Sequence, residues 1–170
     1  MQARAAMKDA PGIELILADY RKPAHAEAVV ALLDAYARDP AGGGTALAPE
    51  VRAGLPDALA ARPQAFSVLA WEDGQAVGLV NCIEGFSTFA CKPLVNIHDV
   101  VVLEGHRGRG IAQQMLARVE EEARARGACK LTLEVLSGNH SALRAYARNG
   151  FAGYQLDPSF GSALFLQKKL

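Results

Sequence analysis

The chain has 170 residues, 51% of them hydrophobic and 21% charged, the composition of a folded domain rather than a disordered segment. Lys and Arg together number 18, as do Asp and Glu. The sequence therefore lacks the basic excess of a nucleic-acid binder and the bulk charge that would draw it to an anionic membrane. Its three cysteines, Cys82, Cys91 and Cys129, form neither a CxxC pair nor a zinc spacing. Reduced thiols, no metal and a cytoplasmic location are expected. No apolar run reaches the length of a membrane span, and MQARAAMKDAPG has no signal-peptide core.

In chain order, IELILA (13–18) reads as a first strand. Pro23 precedes AHAEAVVALLDAYA (24–37), where Val29, Leu32, Leu33 and Tyr36 recur at helical spacing. DPAGGGTALAPE (39–50) reads as a mobile loop, and a second helix is expected from about Pro49 to Ala61, before Pro63. The period then changes. FSVLAWE (66–72) and QAVGLVNCIEGF (75–86) flank Asp73-Gly74, a strong two-residue hairpin signal. LVNIHDVVVL (94–103) is a third strand of that group. IAQQMLARVEEEARARG (111–127) is an amphipathic helix with Ile111, Met115, Leu116, Val119 and Ala123 on one side, and Gly127 ends it. CKLTLEVL (129–136) is a strand, 139–149 a short helix, and FAGYQL with SALFLQKKL two closing strands. The expectation is a single α/β domain over residues 1–170, with a mixed sheet of about six to seven strands and about four helices.

Between the third of these strands and its helix lies HRGRGIAQQML (106–116). A strand, a Gly turn and a helix N-terminus make an anion site, because the first helical N–H groups lack internal partners and the helix dipole is positive there. Gly108 and Gly110 let an oxygen approach the backbone, and Arg107 and Arg109 add donors. A diphosphate suits this turn better than a single carboxylate. The dinucleotide fingerprint fails, since the run G-R-G-I-A-Q lacks the third Gly, and no P-loop pattern is present.

The run Arg107-Gly108-Arg109-Gly110-Ile111-Ala112 resembles the R/QxxGxG/A signature of the GCN5-related N-acetyltransferases (GNAT superfamily). Downstream, NHSALRAYARNGF (139–151) resembles that family's NxxAxxxYxxxGF, with Asn139, Ala142, Tyr146, Gly150 and Phe151 in place. The resemblance implies an acetyl-CoA-dependent transferase acting on a primary amine, with a cofactor-binding core at about 94–151. It implies that exposed backbone of Val100, Val101, Val102 and Leu103 binds the pantetheine arm, with the Val102 N–H polarising the thioester carbonyl. It places the pyrophosphate on Arg107 to Ala112 and gives Asn139 a bond to the arm or to local backbone. Tyr146 matches the family's general acid to the CoA thiolate. The base stays open among Asp99, His98 and Glu84, and solvent could also take the proton. On a regular strand Asn96 and His98 would share one face and Asp99 the other; a bulge would change that.

A weaker similarity links FSTFACKPLVNIHDVVV to the diamine and thialysine acetyltransferases. Phe86-Ser87-Thr88-Phe89 and Asp99 match that branch, whereas its preceding Glu is His98 here. A small amine is the expected acceptor, and a homodimer is plausible from the apolar closing strands. The rival function is a non-catalytic acyl-CoA sensor of the same fold; Tyr146 speaks for the enzyme.

Overall fold

The computed structural model describes residues 12–154, 157, 159, 161 and 163–170. Its elements are β1 (Ile13–Leu17), α1 (Pro23–Arg38), α2 (Pro49–Ala60), β2 (Ala65–Glu72), β3 (Gln75–Ser87), β4 (Lys92–Val102), α3 (Ile111–Ala125), β5 (Leu131–Leu133) and α4 (His140–Arg148). The α/β class, the mixed sheet and the four helices are as expected. Contacts divide the chain between Leu133 and Glu134 into two compact units. The first holds the sheet with α1, α2 and α3; the second holds α4 and the chain beyond it.

The sheet runs β1-β2-β3-β4-β5, antiparallel as far as β4, with β5 parallel to β4. Asp73 and Gly74 both take positive φ, 48° and 77°, the type I′ pattern that matches strand twist. β2 is buried from Ala65 to Ala70, which explains its unbroken apolar run. It pairs on both sides, so Trp71 lies on an interior strand. Ala28, Val29 and Leu32 of α1 join Leu69, Leu79 and Val101 in the core on one face. On the other face α3 buries Ile111, Met115, Leu116, Val119 and Ala123, the side read from its spacing. Arg124 donates to Glu120 and Arg126 to Glu122, so the i,i+4 pairs form as well.

Three expectations change. The sheet has five strands among the described residues, not six or seven. Residues 151–154 and 163–170 are described without strand, and the remainder of the two expected closing strands lies outside the described residues. An apolar run becomes a strand only where a ladder partner takes its backbone bonds, and none of the described strands pairs with the described parts of these segments. β5 is also shorter than 129–136, spanning only Leu131–Leu133. The loop at 39–50 is pinned rather than open: Asp34 accepts from the Leu47 N–H at 2.8 Å, and Asp39 caps a short 3-10 turn by accepting from the Ala41 N–H at 2.9 Å. Among the described residues no helix is long and apolar enough to cross a membrane.

Leu79 is fully buried between α1 and the sheet. Leu79→Ala is expected to cost about 2–5 kcal/mol in an equilibrium urea titration, through lost transfer energy and the cavity left behind.

Candidate functional site

The site in the first unit begins with one extra residue. Opposite the Asn81–Cys82 step, β4 contributes Ile97, His98 and Asp99, so His98 is bulged. Before the bulge, Val95 and Ile97 pair with Leu131 and Leu133 of β5, and the Val95 N–H donates to the Lys130 carbonyl at 3.1 Å. After it, β5 no longer reaches. The Leu103 N–H donates to the Val77 carbonyl at 3.0 Å, toward β3. Strand alternation then turns Leu103 and Val101 to β3, and Val100 and Val102 to the edge that β5 leaves unpaired. Of the four expected backbone positions, two therefore face outward.

The bulge also decides where the polar side chains point. His98 is exposed. Asp99 shares the face of its register partner Asn81, whose amide donates to Asp99 Oδ2 at 3.0 Å. Asn81 in turn accepts from Ser67 at 2.7 Å, and Ser67 Oγ lies 2.8 Å from the Tyr20 hydroxyl. Val101, two residues beyond Asp99 on the same face, packs with Ala28, Val29 and Leu32 of α1, so Asp99 lies on the α1 side; burial and, next, the carboxylates of Asp99 and Asp39 push the Tyr36 phenol on α1 up. Asn96 instead donates to Thr132 of β5 at 3.1 Å. Glu84 is paired with Arg126 at 3.3 Å, and that guanidinium stacks over Phe66 at 4.4 Å, so Glu84 has a structural partner. Tyr20, Ser67 and Asn81 were not singled out from sequence.

The Gly turn follows β4. Gly108 and Gly110 adopt φ of 77° and 81°, where a β-carbon is strained, and no side chain caps α3 at Gly110. The amides of Ile111 and Ala112 thus open a helix whose N-terminus carries partial positive charge. Both arginines are engaged with carboxylates. Arg107 Nε donates to the Val102 carbonyl at 3.0 Å and its Nη2 to Asp39 at 3.1 Å. Arg109 forms a fork on Glu72, whose Oε2 also meets His106 Nδ1 at 2.8 Å. These pairs tie the turn to the end of β2 and to the α1 loop. Glu72 is held below the ordinary carboxylate range, chiefly by the Arg109 hydrogen bonds, against desolvation and with help from His106.

In the second unit, the downstream motif builds helix α4. Asn139 accepts from the Ala142 N–H at 3.1 Å and is its N-cap, so its bond is to local backbone. Gly150 has φ of 82°, and the N–H groups of Phe151 and Gly150 donate to Tyr146 and Ala147 carbonyls, each at 3.1 Å. This is a Schellman cap, closed by an edge contact of the Tyr146 and Phe151 rings 5.9 Å apart. Four of the motif's residues, Asn139, Ala142, Gly150 and Phe151, thus start and stop the helix that carries Tyr146.

The Gly turn opens a helix N-terminus just after a strand edge that β5 leaves without a neighbouring strand, an arrangement that can take an anion at the turn and hydrogen-bond a ligand along the edge. The chain belongs to the acetyltransferase (GNAT) family, whose family model matches residues 29–151. It is 40% identical over 85 residues to the streptothricin acetyltransferase of Streptomyces lavendulae, covering 48% of this chain and 45% of that one. The chain spans about half, or less, of the length of the curated relatives it matches. Among solved structures, a probable acetyltransferase superposes with a TM-score of 0.77 at 19% identity over 92% of this chain and 99% of that one. An aminoglycoside N-acetyltransferase solved in complex with CoA gives 0.69 at 17% identity, over 94% and 97%. At these identities the two structures speak to the fold.

The lowered pKa of Glu72 fixes the sign of its pH dependence: its contribution is present above the ordinary glutamate range and is lost as pH falls through the depressed value. Glu72→Gln should accordingly raise the mobility of the Gly108 and Gly110 amides in 15N relaxation at neutral pH. Unchanged relaxation would show that the turn is held by other contacts.

Proposed function

We propose that the protein is an acetyl-CoA-dependent N-acetyltransferase that acylates a small primary amine by direct attack in a ternary complex. The observation that carries this reading is the outward backbone of Val100 and Val102, continuous with the uncapped α3 turn at Gly108–Gly110. Acetyl-CoA supplies the activated acetyl thioester. The strand edge offers alternate N–H and C=O groups to the amides of a pantetheine arm. The Val102 N–H donates to the thioester carbonyl as charge develops there. The amides of Gly108, Gly110, Ile111 and Ala112 receive the pyrophosphate, and Arg107 and Arg109 fix the turn while keeping further N–H donors on its rim.

On the amine side, Asp99 takes the proton that an alkylammonium must lose before it attacks, with His98 exposed beside it at the bulge. Tyr146 gives its phenolic proton to the departing thiolate; a phenol with an ordinary pKa of about 10 is protonated at neutral pH and can do so. The matching motif supports that role, and the capped α4 holds the tyrosine backbone in one conformation. Two relatives support a small amine as the acceptor: one is named for streptothricin and another for aminoalkylphosphonates.

Thiol release from acetyl-CoA tests the reading across a panel of streptothricin, aminoglycosides, diamines, aminoalkylphosphonates, amino acids and short peptides. Acceptor-dependent release is expected. Acetyl-CoA binding with no release from any acceptor would favour an acyl-CoA sensor instead. Tyr146→Phe should lower kcat by about a hundredfold with acetyl-CoA affinity kept, and unchanged turnover would remove Tyr146 from the mechanism. Gly110→Val should instead weaken CoA binding in calorimetry, because valine resists the positive φ at that position.

A further inference from the structure

A row of polar side chains crosses the sheet on the α1 side. Ser67, Asn81 and Asp99 are register partners on β2, β3 and β4. Ser67 and Asn81 are buried, 1% and 8% exposed, among valines and leucines, while Asp99 is only partly buried. Buried polar groups in such surroundings are costly unless bonded, and here each is bonded to the next.

The direction of every bond follows from one end. An ionised carboxylate only accepts, so Asn81 must offer Asp99 its Nδ2. Its Oδ1 is then left to accept the Ser67 hydroxyl proton. That commits the one proton Ser67 has, so the Tyr20 hydroxyl donates to Ser67 Oγ. Burial raises the Tyr20 phenol, which keeps it a donor. The chain Tyr20→Ser67→Asn81→Asp99 thus points its donors at Oδ2 and has one consistent polarity, which fixes the Asn81 amide against flipping.

We propose that Tyr20, Ser67 and Asn81 are positioning residues that hold Asp99 by Oδ2 and aim its other oxygen, Oδ1, at the ammonium group of the acceptor. The proposal rests on the assignment of Asp99 to the amine side made above. It gives the buried row a use that a trio of apolar side chains could not supply. It also predicts that recognition of the amine is sensitive to residues two strands away that touch no substrate.

The test uses the full chain and four variants: Ser67→Ala, Asn81→Leu, Asp99→Asn and the double variant Ser67→Ala/Asp99→Asn. Kinetics are run with streptothricin and with whichever panel amine turns over fastest, and the Asn81 side-chain NH2 resonances are recorded by NMR without any acceptor. Asn81→Leu, which removes a hydrogen bond to the carboxylate, should lower kcat/KM for the amine about tenfold, and Ser67→Ala, which removes the neutral bond behind it, about threefold, with KM for acetyl-CoA unchanged. Ser67→Ala should add nothing in the Asp99→Asn background, and both Ser67→Ala and Asp99→Asn should shift the Asn81 NH2 resonances. A fall in melting temperature with amine kinetics and resonances unmoved would overturn the relay while leaving Asp99 in place. Full activity of Asp99→Asn would instead overturn the amine-side assignment, and the proposal with it.

Discussion

The inserted residue His98 in β4 is the constraint on which the rest of the site depends. A regular strand would keep the side-chain and backbone alternation set by its pairing with β5. The bulge shifts that alternation by one residue within the strand. Up to Ile97 the outward backbone bonds to β5; from Val100 on it faces an edge that β5 does not reach. The same insertion shifts side chains by one position, so Asp99 and Val101 turn to the α1 face while Val95 and Ile97 are buried on the other. One residue therefore opens a backbone template on the strand and delivers a carboxylate beside it.

Much of this architecture was legible from periodicity and turn chemistry. The Asp73-Gly74 hairpin, the apolar side of α3, the Gly108–Gly110 turn and the helix stop at Gly127 are local signals, and local physics decides them. The bulges were not legible. Counting back from the Glu72–Gln75 turn places Ser67 opposite Val80; an irregularity between Ala70 and Trp71 moves it onto Asn81. A second, at His98, moves Asp99 onto the same row. Three isolated polar residues in apolar strands become a connected network only through two register shifts, which no count along one strand reveals. The closing strands failed for a related reason: an apolar run such as 163–166 fits a strand, but a strand requires a pairing partner.

The two sequence motifs do different physical work. The first builds an open turn, with glycines at positive φ leading to an uncapped helix start. The second builds a short helix with a defined beginning and end around Tyr146. Isolated helices of this length are marginal in water, so an N-cap and a Schellman cap contribute a large share of the order. The turn's arginines also read differently in three dimensions. Sequence alone makes them phosphate donors; the fold engages them with Asp39 and Glu72, so they hold the turn in shape.

The proposed cradle for acetyl-CoA runs without a break from the outward edge of β4 to the turn before α3. Amide hydrogen exchange, measured by mass spectrometry with and without acetyl-CoA, tests it most directly. Added protection is expected at Val100, Val102 and the amides from Gly108 to Ala112, with β1 and the β2–β3 hairpin unchanged. Binding that leaves those amides unprotected, or that protects another part of the sheet instead, would contradict it.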